Sequence, residues 1–366
     1  MTVAPRSAQD VDRVEAGEKL ERLRSLMGER YDVIVLRSPE NVAWLSGGAR
    51  TYVQVNAAVG VAAVVVTSSD VEVVTTANEA PRLQEEELDR LEASWRVVPW
   101  WEDMALELPR GTRVASDVAY LGAVGVDVAP VRLPLTPGEI ERYRNLGGDA
   151  AEALTEAARS LSPDVSENGA AARVAAQLLA RGVDPVVLLV AGASRRLRHR
   201  HALPTAQRLG ELAMVTVCGR RGGLIVNLTR MVAFGRPAPA ELQRYRALET
   251  VEAAFLGASR PGVTWRRAFL TGCRAYLDAG FDEHEWMQHH QGGPTGYQPR
   301  EYLATARSTA TIVDGQALAW NPTVPGLKLE DTVLVRADGL EVLTADPAWP
   351  THRCAGLARP QILTLS

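Results

Sequence analysis

The sequence predicts two domains, an open α/β domain followed by an α+β domain, and three observations carry that prediction. β-branched runs alternate with helix-like stretches up to about residue 134, as in an open α/β sheet. Leu133-Pro134-Leu135 is then a stiff connector, and Thr136-Pro137-Gly138-Glu139 reads as a capping box with proline at the first helical position. Beyond it the order is helix pair, strands, helix pair, strands. The predicted domains are therefore 1–134 and 135–366.

In chain order, Tyr31 to Leu36 is an apolar run rich in Val and Ile, a buried strand that enters a short helix at Asn41 to Leu45 through Ser38-Pro39-Glu40. Val61 to Thr67 and Val71 to Thr76, separated by Ser68-Ser69-Asp70, read as a hairpin. The acidic, Leu-spaced stretch Glu79 to Leu91 predicts a helix, and Arg96 to Val98 a further strand. After the boundary, helical spacing runs from Ile140 to Leu161 and from Asn168 to Arg181, closed by Gly182. Strands are predicted at Val186 to Val190, Ala213 to Val217 and Leu224 to Val232, and helices at Ala240 to Leu256 and Trp265 to Ala279. Strand-like composition returns over Ala317 to Val335 and Leu340 to Leu343.

Composition narrows the classes of function. With 366 residues, 46% hydrophobic and 23% charged, the chain is long enough for two buried cores and has globular proportions. A net charge of −4 without a basic arm argues against a nucleic-acid partner. No run approaches a membrane span. Met1 to Leu20 is polar and lacks a signal-peptide core, and three scattered cysteines, Cys218, Cys273 and Cys354, are not a disulfide framework. A cytoplasmic location is expected.

Four stretches, in order, resemble the creatinase and aminopeptidase P family. Ala191-Gly192-Ala193 leads to His201-Ala202-Leu203-Pro204-Thr205, where the family has His-x-x-Pro. Thr216 to Arg230 ends in Asn227-Leu228-Thr229-Arg230, where the family has an Asp-to-Asp hairpin closing with Asp-Ile-Thr-Arg. His289-His290-Gln291-Gly292-Gly293-Pro294-Thr295-Gly296 and Arg300-Glu301 stand against Gly-His-Gly-x-Gly and His-Glu. Asn321-Pro322 with Gly326-x-Lys328-x-Glu330-Asp331 stands against Glu-Pro and Gly-x-Arg-x-Glu-Asp. The resemblance implies a creatinase-like α/β N-terminal domain, a pita-bread α+β C-terminal domain and a homodimer.

The family's peptidases hold two divalent cations with two Asp, one His and two Glu, because about four positive charges need several carboxylates. By resemblance those ligands fall on Thr216, Asn227, Gly293, Asn321 and Glu330, so only Glu330 survives. Sliding His290 onto the histidine position needs a gap beside Gly292-Gly293 and restores one ligand. The resemblance thus implies neither metal nor other cofactor, and an enzyme that works through side chains as creatinase does.

His201 is then the candidate proton shuttle, an imidazole beside Pro204-Thr205, with Glu330 and Glu301 as catalytic carboxylates. His289, His290, Arg300, Asn227, Asn321 and Lys328 are the candidate substrate-binding residues. Adjacent strand residues face opposite sides, so one of His289 and His290 is expected to point inward and the other away. Glu330, deprived of cations, should find a cationic partner, with Lys328 two residues earlier the obvious one. Arg230 is read as a structural anchor, Cys218 as a buried apolar residue, and the run Arg195 to His201 as a basic patch that binds an anion, is solvated or meets an acidic helix. The expected activity is metal-independent hydrolysis or elimination across a C–N bond of a small carboxylate-bearing nitrogenous substrate. A non-catalytic pseudo-peptidase binding module and an Xaa-Pro peptidase with atypical ligands are the alternatives.

Overall fold

The computed structural model describes residues 8–192 and 194–366, with side chains inside the first helix described from Val14 onward. Ala193, in the small-residue stretch quoted above, and the start of the polar N-terminal segment lie outside the described residues. The chain divides into two compact units, Met1–Glu139 with Gly222–Leu224, and Ile140–Arg221 with Ile225–Ser366.

The first unit opens with α1 (Ala8–Met27), which the sequence reading did not find. Its apolar periodicity is weak, and what anchors it is Lys19, fully buried and paired with Glu15 at 2.6 Å and Glu139 at 2.8 Å. β1 (Val33–Leu36) and α2 (Pro39–Ser46) follow as expected, with the Ser38 hydroxyl capping Asn41 N–H. The expected hairpin forms from β2 (Ala62–Val66) and β3 (Val71–Thr76). The helix predicted over Glu79 to Leu91 does not form as such. A single turn, α3 (Ala80–Arg82), passes into a π-turn at Leu83–Glu87, which turns Glu87 inward to hold the Arg50 backbone N–H (2.8 Å) and side chain. β4 (Ser94–Val98), β5 (Val114–Ser116) and β6 (Val124–Gly125) complete a six-stranded mixed sheet in the order β4-β3-β2-β1-β5-β6. α4 (Ala129–Arg132) leads to the capping box, where Thr136 N–H donates to Glu139 Oε2 (2.7 Å) and Glu139 N–H to Thr136 Oγ1 (3.2 Å).

The second unit has α5 (Pro137–Arg159), whose first turn belongs to the first unit, and α6 (Glu167–Ala180). β7 (Asp184–Ala191), the short α7 (Arg195–Arg198), β8 (Leu212–Arg221) and β9 (Leu224–Phe234) come next, then α8 (Pro239–Ala258) and α9 (Trp265–Asp278). The remaining strands are β10 (Gly292–Thr295), β11 (Ala317–Trp320), β12 (Thr323–Val324), β13 (Leu327–Lys328), β14 (Val333–Arg336), β15 (Gly339–Val342), β16 (Thr351–Cys354), β17 (Leu357–Pro360) and β18 (Leu363–Leu365). Two four-stranded sheets result, β18-β9-β8-β7 and β10-β11-β14-β15. α8 and α9 pack on Trp320, which stacks on Phe255 with centroids 4.6 Å apart and donates from Nε1 to Ser259 Oγ at 2.9 Å. This core fixes β11, and so the loop that carries Asn321.

Among the described residues no helix is long and apolar enough to cross a membrane, and Cys218, Cys273 and Cys354 are free thiols.

Candidate active site

Glu330 is the hub of the site. It lies just beyond β13 and bridges to Thr229 of β9 through the Thr229 N–H and Glu330 carbonyl (3.0 Å). Its carboxylate is 2% exposed and accepts from Arg300 Nη2 at 2.6 Å, Lys328 Nζ at 2.8 Å and Thr229 Oγ1 at 2.8 Å. Thr216 on β8 completes a hydroxyl chain, 2.9 Å from Thr229 Oγ1. Burial alone would raise the acid's pKa, but the charges of Lys328 and Arg300 outweigh it and hold the carboxyl well below the usual range. The partnership of Glu330 with Lys328 agrees with the sequence expectation. Arg300 is the second cation, and Glu301 Oε1 accepts from the Tyr297 N–H (2.9 Å).

The positions where a metal pair would be held do not fit one. Thr216 offers a hydroxyl. Asn227 is wholly buried with both ends of its amide engaged, Nδ2 donating to Thr295 Oγ1 (2.9 Å) and Oδ1 accepting from Cys218 Sγ (3.1 Å). At Gly293 there is no room for any side chain, since a Cβ would lie 2.4 Å from Tyr302 O and 3.0 Å from Ala304 N. Asn321 contributes an uncharged amide whose Oδ1 is buried without a partner. Lys328 and Arg300 thus exceed the one remaining carboxylate by one positive charge, and a further four positive charges would meet a donor set that is otherwise neutral.

Three histidines gather beside this ion cluster. His289 Nε2 lies 2.9 Å from His201 Nε2, and the His290 ring centroid is 4.4 Å from that of His289 and 5.5 Å from that of His201. The expectation that His289 and His290 point to opposite sides is corrected. They precede β10 and leave a 3-10 turn at Glu285–Gln288, so strand alternation does not apply to them. With the Thr323 hydroxyl donating to Asn321 O (2.8 Å), its 3.3 Å contact with His289 Nδ1 is satisfied by the tautomer that carries a proton on that nitrogen, which we assign on this ground. His289 Nε2 therefore carries the lone pair and accepts from His201 Nε2–H, leaving the lone pair of His201 on Nδ1.

Burial, then the charge of Lys328, pushes His289 down to about 2, and burial, then Arg300 and Lys328, pushes His290 down to about 4. His201, the exposed member, is lowered by the same causes. All three are neutral at pH 7. Their ligating nitrogens lie within 4.8 Å of one another, a spacing that one metal ion could bridge. Lys328 and Arg300, which add to burial in keeping the rings uncharged, also repel a dication.

The basic run is mostly neutralised. Arg195 pairs with Glu167, Arg196 with Glu241 and Arg200 with Glu285, which fixes the turn before His201 and removes much of its capacity for an external anion. Arg230 is an anchor as expected, donating from Nη2 to Asp331 Oδ1 (2.9 Å) and Thr344 O (2.7 Å). Cys218 is buried and its thiol pushed up to about 12 by burial, so it is inert. Sequence reasoning placed Thr216 and Thr229 within the second motif, as neutral replacements, without giving their hydroxyls a role, and it missed Thr323. Only the fold shows that these hydroxyls meet Glu330 and His289.

The profile of metallopeptidase family M24 matches residues 141–337, more than half of the chain and every residue of the ion and histidine clusters. The chain belongs to this family. Within M24 it is similar to an Xaa-Pro dipeptidase of Lactobacillus delbrueckii subsp. lactis, 23% identical over 227 residues that make up 59% of this chain and 61% of that relative. The chain therefore matches about three-fifths of the length of such curated relatives. The fold of this M24 member is similar to those of dipeptidase PepE from Mycobacterium ulcerans (TM-score 0.76, 19% identity, covering 97% of this chain and 99% of that one) and prolidase from Pyrococcus horikoshii OT3 (TM-score 0.76, 17% identity, 90% and 98%). The architecture is a creatinase-like α/β domain followed by a pita-bread domain.

Proposed function

We propose that this M24 member hydrolyses or eliminates across a C–N bond of a small carboxylate-bearing nitrogenous substrate, without the metal pair its family name implies. The observation that carries the reading is the capture of Glu330 by Arg300 and Lys328. The surviving ligand is spent on internal cations, and the pair leaves one net positive charge beside neutral imidazoles.

Two unsatisfied buried groups support the substrate class. Arg300 Nε is a buried donor without a partner, suited to a carboxylate oxygen, and Asn321 Oδ1 is a buried acceptor without one, suited to a substrate N–H. His289, fixed by Thr323, holds His201 through Nε2–H, so that His201 Nδ1 is the base. In the hydrolytic form of the reaction it takes a proton from water as the oxygen adds to the substrate carbon. The C–N bond then breaks, and the proton passes to the leaving nitrogen. Asn227 has no part in this scheme, because its amide is already used, and Glu301 orients the Gly296–Tyr297 turn.

The test is a screen of guanidino acids, amidine acids and Xaa-Pro dipeptides with and without chelator, alongside elemental analysis. Chelator-resistant turnover of a guanidino or amidine acid, lowered about 10²- to 10⁴-fold in His201→Ala, is expected. Two stoichiometric metals with chelator-sensitive dipeptide cleavage would overturn the proposal in favour of a peptidase with atypical ligands. Saturable binding with no turnover of any substrate would favour a binding module, which the same ligand losses support.

A further inference from the structure

Away from the histidine cluster, the second unit has a cavity of about 490 Å³ between α8, the β14–β15 turn and the β16–β17 hairpin. Glu249 and Glu252, one turn apart on α8, both line it. Their situations differ. Glu252 is gripped by Arg359, which donates from Nε at 2.7 Å and again from Nη2, and Arg359 Nη2 also lies 2.8 Å from Asp331 Oδ2. Glu249 has no such cation. It is 3% exposed, its Oε2 is 3.2 Å from His352 Nε2, and its Oε1 is buried with no hydrogen-bond partner.

A carboxylate held out of water with one oxygen unsatisfied is unfavourable as an anion, and burial, then the charge of Glu252, raises Glu249 to about 7. The arrangement favours a guest that brings a positive charge and a donor. Leu256, Leu340 and Leu357 supply the apolar part of the wall, Arg260, Arg336, Asp338 and Arg359 line it as well, and the volume is that of a small-molecule site. A metal ion is a poor guest, since Glu252 has no oxygen to spare and one free carboxylate oxygen cannot replace a hydration shell.

We propose that this cavity binds a small organic amine, its ammonium donating to Glu249 and its apolar stem lying on Leu256, Leu340 and Leu357. The site is separate from the proposed reaction and does not depend on it. The charged and titratable groups around Glu249 are Tyr245, Arg246 and Glu252 on its own helix, and Arg260 just after it. His352, Cys354 and Arg359 face it from the hairpin, and Arg336 and Asp338 from the β14–β15 turn. Arg336 is directed at Asp314, 3.7 Å away.

The test is titration of the full chain with n-butylamine, followed by NMR, with 1-butanol as the uncharged control. Saturable binding of the amine with a dissociation constant on the order of 1 mM, about ten-fold or more tighter than the alcohol, is expected. Glu249→Gln should weaken it about ten-fold or more, and Ala253→Leu, which fills the cavity while leaving every charge in place, should abolish it. In the unaltered chain binding should be about ten-fold weaker near pH 6 than near pH 8, as Glu249 takes up a proton. That measurement stands even where a variant fails to fold. Equal binding of amine and alcohol, or amine binding indifferent to both substitutions and to pH, would overturn the proposal. So would concentration-dependent self-association abolished by Ala253→Leu, because the cavity would then be a contact between copies of the chain.

Discussion

Replacing Glu330 by glutamine tests the charge balance on which the active-site reading rests. The substitution keeps the shape of the side chain and removes the anion between Arg300 Nη2 (2.6 Å) and Lys328 Nζ (2.8 Å). Lys328 is 2% exposed and Arg300 partly buried, so two cations would be left without a counter-charge in a poorly solvated place. Breaking a buried pair by removing one partner typically costs about 3–5 kcal/mol, and the two cations place Glu330→Gln at the upper end of that range. The assay is urea unfolding of wild type, Glu330→Gln, Lys328→Met and the double variant. The double variant should recover about 2 kcal/mol or more of the loss, a coupling that only a direct interaction gives.

The pH dependence supplies a second reading of the same group. Glu330 is depressed below its ordinary value of 4.5, so its stabilisation is fully present above about that pH and is lost as the pH falls through the lower, folded value. Wild type should therefore lose stability on acidification below 4.5 more steeply than Glu330→Gln. A penalty below about 1 kcal/mol, or purely additive effects in the cycle, would refute the assignment of Lys328 and Arg300 as the balancing charges.

Three further outcomes are expected. The acid limb of kcat/KM should lie below pH 6.5, because His201 is lowered from that value by burial and then by Lys328, and Lys328→Met should move the limb upward. Glu249→Gln should stabilise the chain at alkaline pH. A carboxyl raised from 4.5 to about 7 contributes stability that is present below 4.5 and lost as pH rises through 7, an effect of at most roughly 3 kcal/mol, so thermal unfolding should show the gain at pH 8 and little at pH 4. Gly272→Ala should destabilise the α8–α9 packing by about 1–3 kcal/mol in urea unfolding. Its Cβ would lie 2.1 Å from Phe255 Cδ1, and Phe255 is pinned against Trp320.

The sequence by itself determined most of the architecture and the loss of the ligands. The hairpin at β2–β3, the capping box at Thr136–Glu139, the paired helices and the long β8–β9 hairpin follow from local periodicity, proline and glycine placement, which act within a few residues. The four motifs pointed to the family, and by resemblance they left Glu330 as the one carboxylate at its ligand positions. α1 was not legible because its anchor is Lys19 meeting Glu139 at the other end of the unit, and long-range ion pairs leave no periodic trace. The π-turn at Leu83–Glu87 escaped for a similar reason, since Arg50 and Glu87 decide it together.

At the site, tertiary structure decided what the residues do. The motif order offered Lys328 for Glu330 but gave no ground for Arg300 as the second cation, because 30 residues of chain separate them. His201 and His289, 88 residues apart, meet only when β7 and β10 are in place, and the tautomer assigned to His201 depends on Thr323, a residue without a motif. Local sequence sets which side chains are available. Burial and the field of distant charges set their protonation, and those are properties of the folded chain alone.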